Sequence, residues 1–312
     1  ECNMTGLVLS TDGSKARWFL LQNAMSEKNT CQIIHWITGK GGVGKSTVAA
    51  SMALSLARSG FKTLLIELGE KSFFKYIFET DVEHDPKQIN PHLWIARWFG
   101  EDCLKEYLLH LLKLEMVVHL FFENRVMKSL VQAAPGLREL ALAGKITSGI
   151  RGIGPSLPFD RLVVDAYSTG HFRTLVESPR AMAVAIPVGP MGEQSRSIDT
   201  VLKSANCKYH VVVTPEDLPV TEGLELCEFL QKEFATTPDV ILNRWLDPPL
   251  GREELEKLPP TEFIEYLDFL LLRQERLCVE IQSVVKSIKR IPYSWEISAR
   301  DRMGRLSKLW DQ

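Results

Sequence analysis

A glycine-rich segment at residues 39–47 is the feature that most constrains how this chain can fold and what it can bind. It reads G-K-G-G-V-G-K-S-T and fits the phosphate-binding pattern G-x-x-x-x-G-K-[ST]. The fixed positions of the pattern fall on Gly39, Gly44, Lys45 and Ser46. An apolar run at 33–37 precedes the segment like a buried strand, and Ala and Leu at helical spacing follow over 47–57. Glycines let the backbone wrap closely, so that its N–H groups and the helix N-terminus face a phosphate. The sequence therefore predicts a nucleoside triphosphate site.

The whole segment is expected to contact the nucleotide. The predicted nucleotide-binding residues of the loop are Gly39, Lys40, Gly41, Gly42, Val43, Gly44, Lys45, Ser46 and Thr47. Lys45 is expected to reach the β- and γ-phosphates of ATP as a point charge. The apolar run 161–164 ends in Asp165, which is expected to hold Mg²⁺, usually through a water, opposite the Ser46 hydroxyl.

Charge and cysteine usage exclude several classes of protein. The 312 residues include 37 basic and 39 acidic side chains, for a net charge of −2, and no long basic run occurs. This balance argues against a nucleic-acid partner and against a polybasic membrane surface. The six cysteines form no C-x-x-C pair, so a zinc site has no support, and reduced thiols in the cytoplasm are the simplest account. No span long enough to cross a membrane is free of charge.

Apolar β-rich runs alternate with helical stretches, which predicts an α/β fold with a doubly wound, mostly parallel sheet. The predicted strands are 31–37, 62–67, 93–98, 161–165, 209–214, 238–242 and a short last strand near 290–292. The predicted helices include 47–59, 221–234 and about 260–288. A small helical layer is expected over about 100–150, at the ligand edge of the sheet. Residues 1–30 are interpreted as a tail or a misassigned start, and 31–312 as a single domain.

Two motifs carry a resemblance to a known family. The second lysine of the loop, Lys40, makes G-K-G-G-V-G-K-S-T resemble the deviant phosphate loop of the ArsA, MinD, ParA and nitrogenase-iron-protein superfamily. Residues 165–171, D-A-Y-S-T-G-H, resemble the D-T-A-P-T-G-H switch of the ArsA family and of the related ATPases that target tail-anchored membrane proteins. Ser168 stands where that switch has proline. Residues 135–139 resemble the P-G-x-x-E segment that precedes the switch. The resemblance runs from about 31 to 310 and is to ArsA-like ATPases of the short bacterial type.

The resemblance implies an ATPase that works as a nucleotide-gated homodimer on an unknown client. It implies that Lys40 crosses the dimer interface to the phosphates of the partner subunit. It also implies a γ-phosphate switch formed by Thr169, Gly170 and His171. Asn243, after the run 240–242, resembles the asparagine that reads the adenine base, and an amide can both donate to and accept from adenine.

One departure from the family concerns catalysis. Family members commonly carry S-T-D-P-A-H, whose aspartate orients the attacking water, whereas Gly69 occupies that position here. Glu70 is predicted to supply the carboxylate by a one-residue shift, and a solvated loop acid is the alternative interpretation. Hydrolysis is therefore expected to be slow or absent. The thiolate cluster, the zinc C-x-x-C and the large helical insertion of some relatives have no counterpart in this sequence.

Two further interpretations remain beside the homodimeric ATPase. The first is a nucleotide-dependent scaffold, or one subunit of a heterodimer whose ArsA-like partner supplies the missing carboxylate. The second is a MinD- or ParA-like positioning protein, which the T-G-H switch and the lack of a basic run disfavour. The basic amphipathic segment 300–310 is expected to pack its apolar stripe on the body of the protein rather than on a membrane surface.

Overall fold

The computed structural model describes residues 32–112, 136–247, 257 and 259–310. The strands are β1 (Ile33–Gly39), β2 (Thr63–Leu68), β3 (Lys87–Asn90), β4 (Leu93–Trp98), β5 (Arg161–Ser168), β6 (Cys207–Val213), β7 (Asp239–Trp245) and β8 (Ile288–Pro292). The helices are α1 (Lys45–Arg58), α2 (Phe74–Phe78), α3 (Gly100–Leu112), α4 (Leu137–Arg151), α5 (Thr169–Ala185), α6 (Gly189–Leu202), α7 (Asp217–Phe234), α8 (Glu262–Val284) and α9 (Ala299–Lys308). Two predictions fall outside the described residues. They are the tail at residues 1–30 and the part of the helical segment at 113–135, which includes Pro135.

The strands form one eight-stranded sheet in the order β3-β4-β2-β5-β1-β6-β7-β8. Every pairing is parallel except that of β3 with β4. This arrangement confirms the predicted α/β fold with a doubly wound, mostly parallel sheet. The edge strand β3 was not predicted, because its short polar sequence K-Q-I-N carries no apolar run.

Alternating side chains of the sheet build two apolar cores. On one face, residues such as Ile34 and Trp36 of β1 pack with α3 to α8. On the other face, residues such as Ile37 pack with α1, α2 and α9. Because successive side chains of a strand point to opposite faces, a single buried strand serves both layers. Helices on both faces bring the carboxyl ends of the parallel strands to one open edge, where ligands bind in folds of this kind.

Helix α9 packs on α1. This confirms the prediction that segment 300–310 packs its apolar stripe on the body of the protein. Met303 and Leu306 are buried against the apolar residues of α1. The Trp310 indole Nε1 donates to the Ser51 hydroxyl at 3.0 Å, and the Arg58 guanidinium donates to both the hydroxyl and the carbonyl of Ser307 at 2.8 Å. The apolar stripe of α9 therefore belongs to the core. Within the described ranges, no helix combines the length and the hydropathy that a membrane span requires.

Two predicted boundaries at the ligand edge are wrong in a way that matters for the site. Strand β5 does not end at Asp165 but continues for three residues to Ser168, because Ser168 pairs with Gly39 of β1. Helix α5 then begins at once with Thr169. The segment 165–171 is therefore a strand that turns directly into a helix, and α1 likewise begins at Lys45 rather than at Thr47.

Candidate nucleotide site

The glycine-rich loop between β1 and α1 depends on backbone conformations that glycine adopts most easily. Gly39, Gly42 and Gly44 have φ angles of +144°, +86° and +94°. A Cβ at Gly39 would also lie 2.2 Å from the Val212 carbonyl oxygen of the neighbouring strand β6. Both constraints exclude larger residues, since such φ values strain L-residues and a contact under 3 Å cannot be accommodated by backbone. The loop is thus built to leave its N–H groups and the first turn of α1 open to an anion.

The ammonium group of Lys45 arches back over this loop. Its Nζ donates to the Lys40 carbonyl oxygen at 3.0 Å, across the turn formed by residues 41–44. Burial lowers the pKa of Lys45, and the negative charge of Asp165 opposes that shift. The charge therefore lies at the mouth of the loop, in the place where a phosphate would meet both the lysine and the backbone donors.

Asp165 lies on β5 beside Ser46 and is only 7% exposed. Its carboxylate accepts a hydrogen bond from the Ser46 hydroxyl, and its Oδ1 has no partner among the described residues. Burial raises the pKa of Asp165 to about 7, although the Ser46 hydrogen bond and the Lys45 charge favour the ionised form. A buried carboxylate oxygen without a donor, next to a hydroxyl, suits a hard divalent cation with oxygen ligands. Ser46 and Asp165 therefore fit the Mg²⁺ that ATP carries.

Two acids lie near the carboxyl end of β2, one within the strand and one in the loop that follows it, and they have different environments. Glu67 pairs in register with Asp165 and is 4% exposed. Its carboxylate accepts from the Ser72 hydroxyl at 2.6 Å and from the Phe73 N–H at 2.5 Å, so it fixes the loop that leads into α2. Glu70 is exposed on that loop, and its carbonyl oxygen accepts from the Arg97 guanidinium.

Asn243 holds the phosphate-binding loop from the side. Its Nδ2 donates to the Val43 carbonyl oxygen at 2.8 Å, and the side chain is 5% exposed. A Cβ at Gly44 would lie 2.4 Å from the same Nδ2, so the lack of a side chain at Gly44 makes room for this amide. The next residue, Arg244, adopts φ +58° and donates to the Gly42 carbonyl oxygen at 3.1 Å. Strand β7 thus supports the loop through two consecutive side chains.

A polar cavity of about 360 Å³ opens between the loop, β7 and the segment that follows β8. It is lined by Gly44, Thr47, Asn243, Arg244, Pro292, Tyr293, Ser294, Arg302 and Leu306. Its volume lies in the range of small-molecule sites, and two of its lining residues, Gly44 and Thr47, flank Lys45 and Ser46 in the chain. The sequence indicated Asn243 as a residue of the nucleotide site, but not Arg302, which comes from α9.

The second lysine of the loop is held by an acid that sequence reasoning missed. The Lys40 Nζ lies 2.5 Å from Oε1 of Glu222, and the two side chains are 29% and 31% exposed. Oε2 of the same carboxylate accepts from the Thr169 hydroxyl at 3.3 Å. Glu222 of α7 therefore joins the loop lysine to the first residue of α5. No sequence signal marked Glu222, since it is one of several acids over 216–228.

The remaining residues of the expected switch lie at the surface. Gly170 and His171 are exposed in the first turn of α5. The His171 ring meets the Tyr167 ring edge-on, with 6.2 Å between their centroids. Thr38 of β1 anchors the same strand end, because its hydroxyl donates to the Tyr167 carbonyl oxygen at 3.0 Å. The structure thus brings Lys40, Thr169 and the loop together and leaves His171 outside that cluster.

A glycine loop that opens a helix at the carboxyl edge of a parallel sheet, with a buried aspartate on the adjacent strand, defines a P-loop nucleoside triphosphatase fold. A family profile described as anion-transporting ATPase matches residues 32–189, just over half of the chain. The chain belongs to this family, the ArsA-like ATPases.

Named relatives agree with this assignment. The chain is 33% identical over 241 residues to the ATPase BagA of Mycobacterium tuberculosis, covering 72% of this chain and 68% of that protein. It is 28% identical over 233 residues to a putative arsenical pump-driving ATPase of Halobacterium salinarum, covering 68% of this chain and 35% of the relative. It is also 25% identical over 238 residues to the arsenical pump-driving ATPase of Escherichia coli, covering 73% and 38% of the two chains.

Proposed function

We propose that this protein binds ATP with Mg²⁺ and hydrolyses it slowly, as a homodimer whose closure depends on the nucleotide and acts on a client. The observation that carries the proposal is the loop itself, with the Lys45 ammonium arched over it and the unpartnered Asp165 oxygen beside Ser46. Gly39 to Thr47 would surround the phosphates. The cavity beside Asn243 would accept the nucleoside. Mg²⁺, held by Ser46 and Asp165, would supply positive charge to the phosphate oxygens.

Slow turnover follows from the loop after β2. Gly69 has φ +135°, a conformation that strains an L-residue, so an aspartate in the family position would not fit this backbone without change. Glu70, the next residue, is the candidate for orienting water toward the γ-phosphate. Because Glu70 is exposed, a water beside it is poorly ordered, and little rate acceleration is expected until the loop closes.

The ion pair between Lys40 and Glu222 supports gating by the nucleotide. Lys40 must leave Glu222 before it can reach a phosphate in a second subunit. The pair is partly exposed, so its separation costs about 1 kcal/mol or less, and a charge-assisted bond to phosphate offsets this. Since Glu222 also accepts from Thr169, release of Lys40 leaves this carboxylate with the Thr169 hydroxyl at the start of α5 and changes the charge balance there. Nucleotide binding and a change in the 165–171 segment would therefore be coupled.

Steady-state ATP hydrolysis with Mg²⁺ and size-exclusion chromatography with a non-hydrolysable ATP analogue test this proposal together. We expect turnover to vanish in Lys45→Ala and to fall in Glu70→Ala. We expect Glu222→Gln, which no longer neutralises Lys40, to raise the dimer fraction at a given analogue concentration, while Glu225→Gln on the same helix serves as the matched control. A chain that stays monomeric with and without the analogue would contradict the gated homodimer.

The Gly69 substitution favours one alternative, a nucleotide-dependent scaffold or the subunit of a heterodimer with an ArsA-like partner. Tight ATP binding without turnover in the wild type would support it. Recovery of turnover on addition of a relative that carries the aspartate would then identify the heterodimer.

A further inference from the structure

A small cavity lies within the helical layer, between α3, α4 and the segment that follows α4. Its volume is about 40 Å³, and none of the residues that line it belongs to the glycine loop or to the cavity beside Asn243. Polar groups of Glu106 and Tyr107 from α3, Lys145 and Arg151 from α4, and Gln194 from α6 line it. A cavity of about 40 Å³ holds about three or four atoms of water size, each needing about 10–15 Å³.

Arg151 contributes a positive charge to this cavity that the described residues do not balance. Its Nε donates to the Thr147 hydroxyl at 3.0 Å and its Nη2 to the Gly144 carbonyl oxygen at 2.7 Å, so the guanidinium is locked in place. Its Nη1 is buried without an acceptor, and no described carboxylate lies within ion-pair distance of Arg151. A buried donor of a charged group is costly unless it is paired.

A second donor in the same cavity is also unsatisfied. The Tyr107 hydroxyl is buried and has no hydrogen-bond partner in the described structure. Burial raises the pKa of Tyr107 and the Arg151 charge opposes that rise, so the phenol keeps its proton and lies within reach of the Arg151 field. Two orphan donors in one cavity point to a missing acceptor.

The other charges of the cavity cancel each other. The Lys145 Nζ donates to Oε2 of Glu106 at 2.7 Å, and Oε1 of Glu106 lies 2.7 Å from Nε2 of His84. Because the charges of Lys145 and Glu106 cancel, the described lining carries one net positive charge, that of Arg151. Burial raises the pKa of the Cys103 thiol to about 12, so this cysteine lines the cavity as a neutral group and offers no soft thiolate.

We propose that this cavity binds a small planar oxyanion of single negative charge. Acetate, nitrate and bicarbonate are anions of this kind and size. One negative charge balances Arg151, and oxygen acceptors satisfy the Arg151 Nη1 and the Tyr107 hydroxyl at once. A planar guanidinium suits such a group because its donors lie in one plane. The small volume excludes nucleotides and sugar acids. The site is separate from the ATP site and does not depend on the function proposed for it.

Isothermal titration calorimetry with sodium acetate and sodium nitrate tests the proposal. Ionic strength is held constant with sodium gluconate, whose anion is too large for the cavity. The titrations use the full chain carrying Lys45→Ala, which weakens anion binding at the glycine loop. We expect one saturable site per chain.

Tyr107→Phe is the informative variant, because it removes only a hydroxyl that has no hydrogen-bond partner among the described residues. We expect it to weaken acetate binding about tenfold, as for the loss of one hydrogen bond to a charged group, and to leave the unliganded protein as stable as before. Arg151→Met is expected to abolish binding, and Arg196→Met, at an exposed arginine that donates to the Pro187 carbonyl oxygen, is the control and should bind as the parent does. Failure of both anions to saturate, or equal affinity in the parent and in Tyr107→Phe, would overturn the proposal.

Discussion

Two histidines in the sheet should make this protein sensitive to mild acid. The Nδ1 of His35 lies 3.1 Å from Nε2 of His210, and their rings stack with centroids 5.3 Å apart. Burial, followed by the charges of His210, Arg161 and Lys208, lowers the pKa of His35 to about 3. Burial and Lys208 lower the pKa of His210 to about 4. Asp239 lies 3.3 Å from His210, but this carboxylate is 42% exposed and does not offset the loss of hydration.

The expected loss of stability follows from the difference between folded and unfolded chains. In the unfolded chain both histidines titrate near the ordinary value of about 6.5, whereas in the folded protein both stay neutral down to about pH 4. The unfolded state therefore binds more protons below pH 6.5, and the free energy of unfolding falls with the pH until the folded pKa values are reached. Between pH 7 and pH 5 the loss is about 2 kcal/mol for each histidine and about 4 kcal/mol for the pair.

Urea unfolding at pH 7, 6 and 5 tests this contribution. The pair is expected to lower the free energy of unfolding by about 4 kcal/mol over that range, and protonation of the buried Asp165, whose pKa is raised to about 7, opposes part of this loss in every variant. In His35→Gln, which keeps a neutral hydrogen-bonding side chain, the drop should therefore be about 2 kcal/mol smaller than in the wild type. His92→Gln, which replaces a histidine at an exposed turn by the same residue, is the matched control variant. An equal drop in the wild type and in His35→Gln would refute the reasoning, because it would mean that His35 does not remain neutral in the folded protein.

Two other substitutions test the structural argument. Gly39→Ala should lower the free energy of unfolding by several kcal/mol and abolish ATP binding, because its Cβ would lie 2.2 Å from a carbonyl oxygen of β6. In Gly41→Ala the new Cβ meets no atom within 4 Å, so this control should fold normally. Thermal unfolding and nucleotide titration compare the two variants. Gln274→Leu should destabilise the protein by roughly 3 kcal/mol in urea unfolding, since the buried Gln274 amide satisfies both the N–H and the carbonyl of Leu246, and Glu275→Leu at the exposed next position should change little.

Much of the nucleotide loop was readable from the sequence because its determinants are local. Gly39, Gly42 and Gly44 are needed for backbone angles within the loop itself, and Lys45 and Ser46 follow at the start of the adjoining helix. The buried strands were readable too, since parallel strands covered on both faces are nearly continuous apolar runs. The same local logic missed β3, whose four residues are mostly polar and pair only at the sheet edge.

Contacts between distant parts of the chain were decided by the tertiary structure alone. Lys40 meets Glu222 across 182 residues, and Asn243 reaches the Val43 carbonyl across 200 residues. The orphan donors of Arg151 and Tyr107 likewise meet only where two helices pack. A local pattern specifies a turn or a strand through the residues that form it. It does not specify which acid, amide or cation from a distant part of the chain will contact those residues. That contact depends on the order of the strands in the sheet and on how the helices pack.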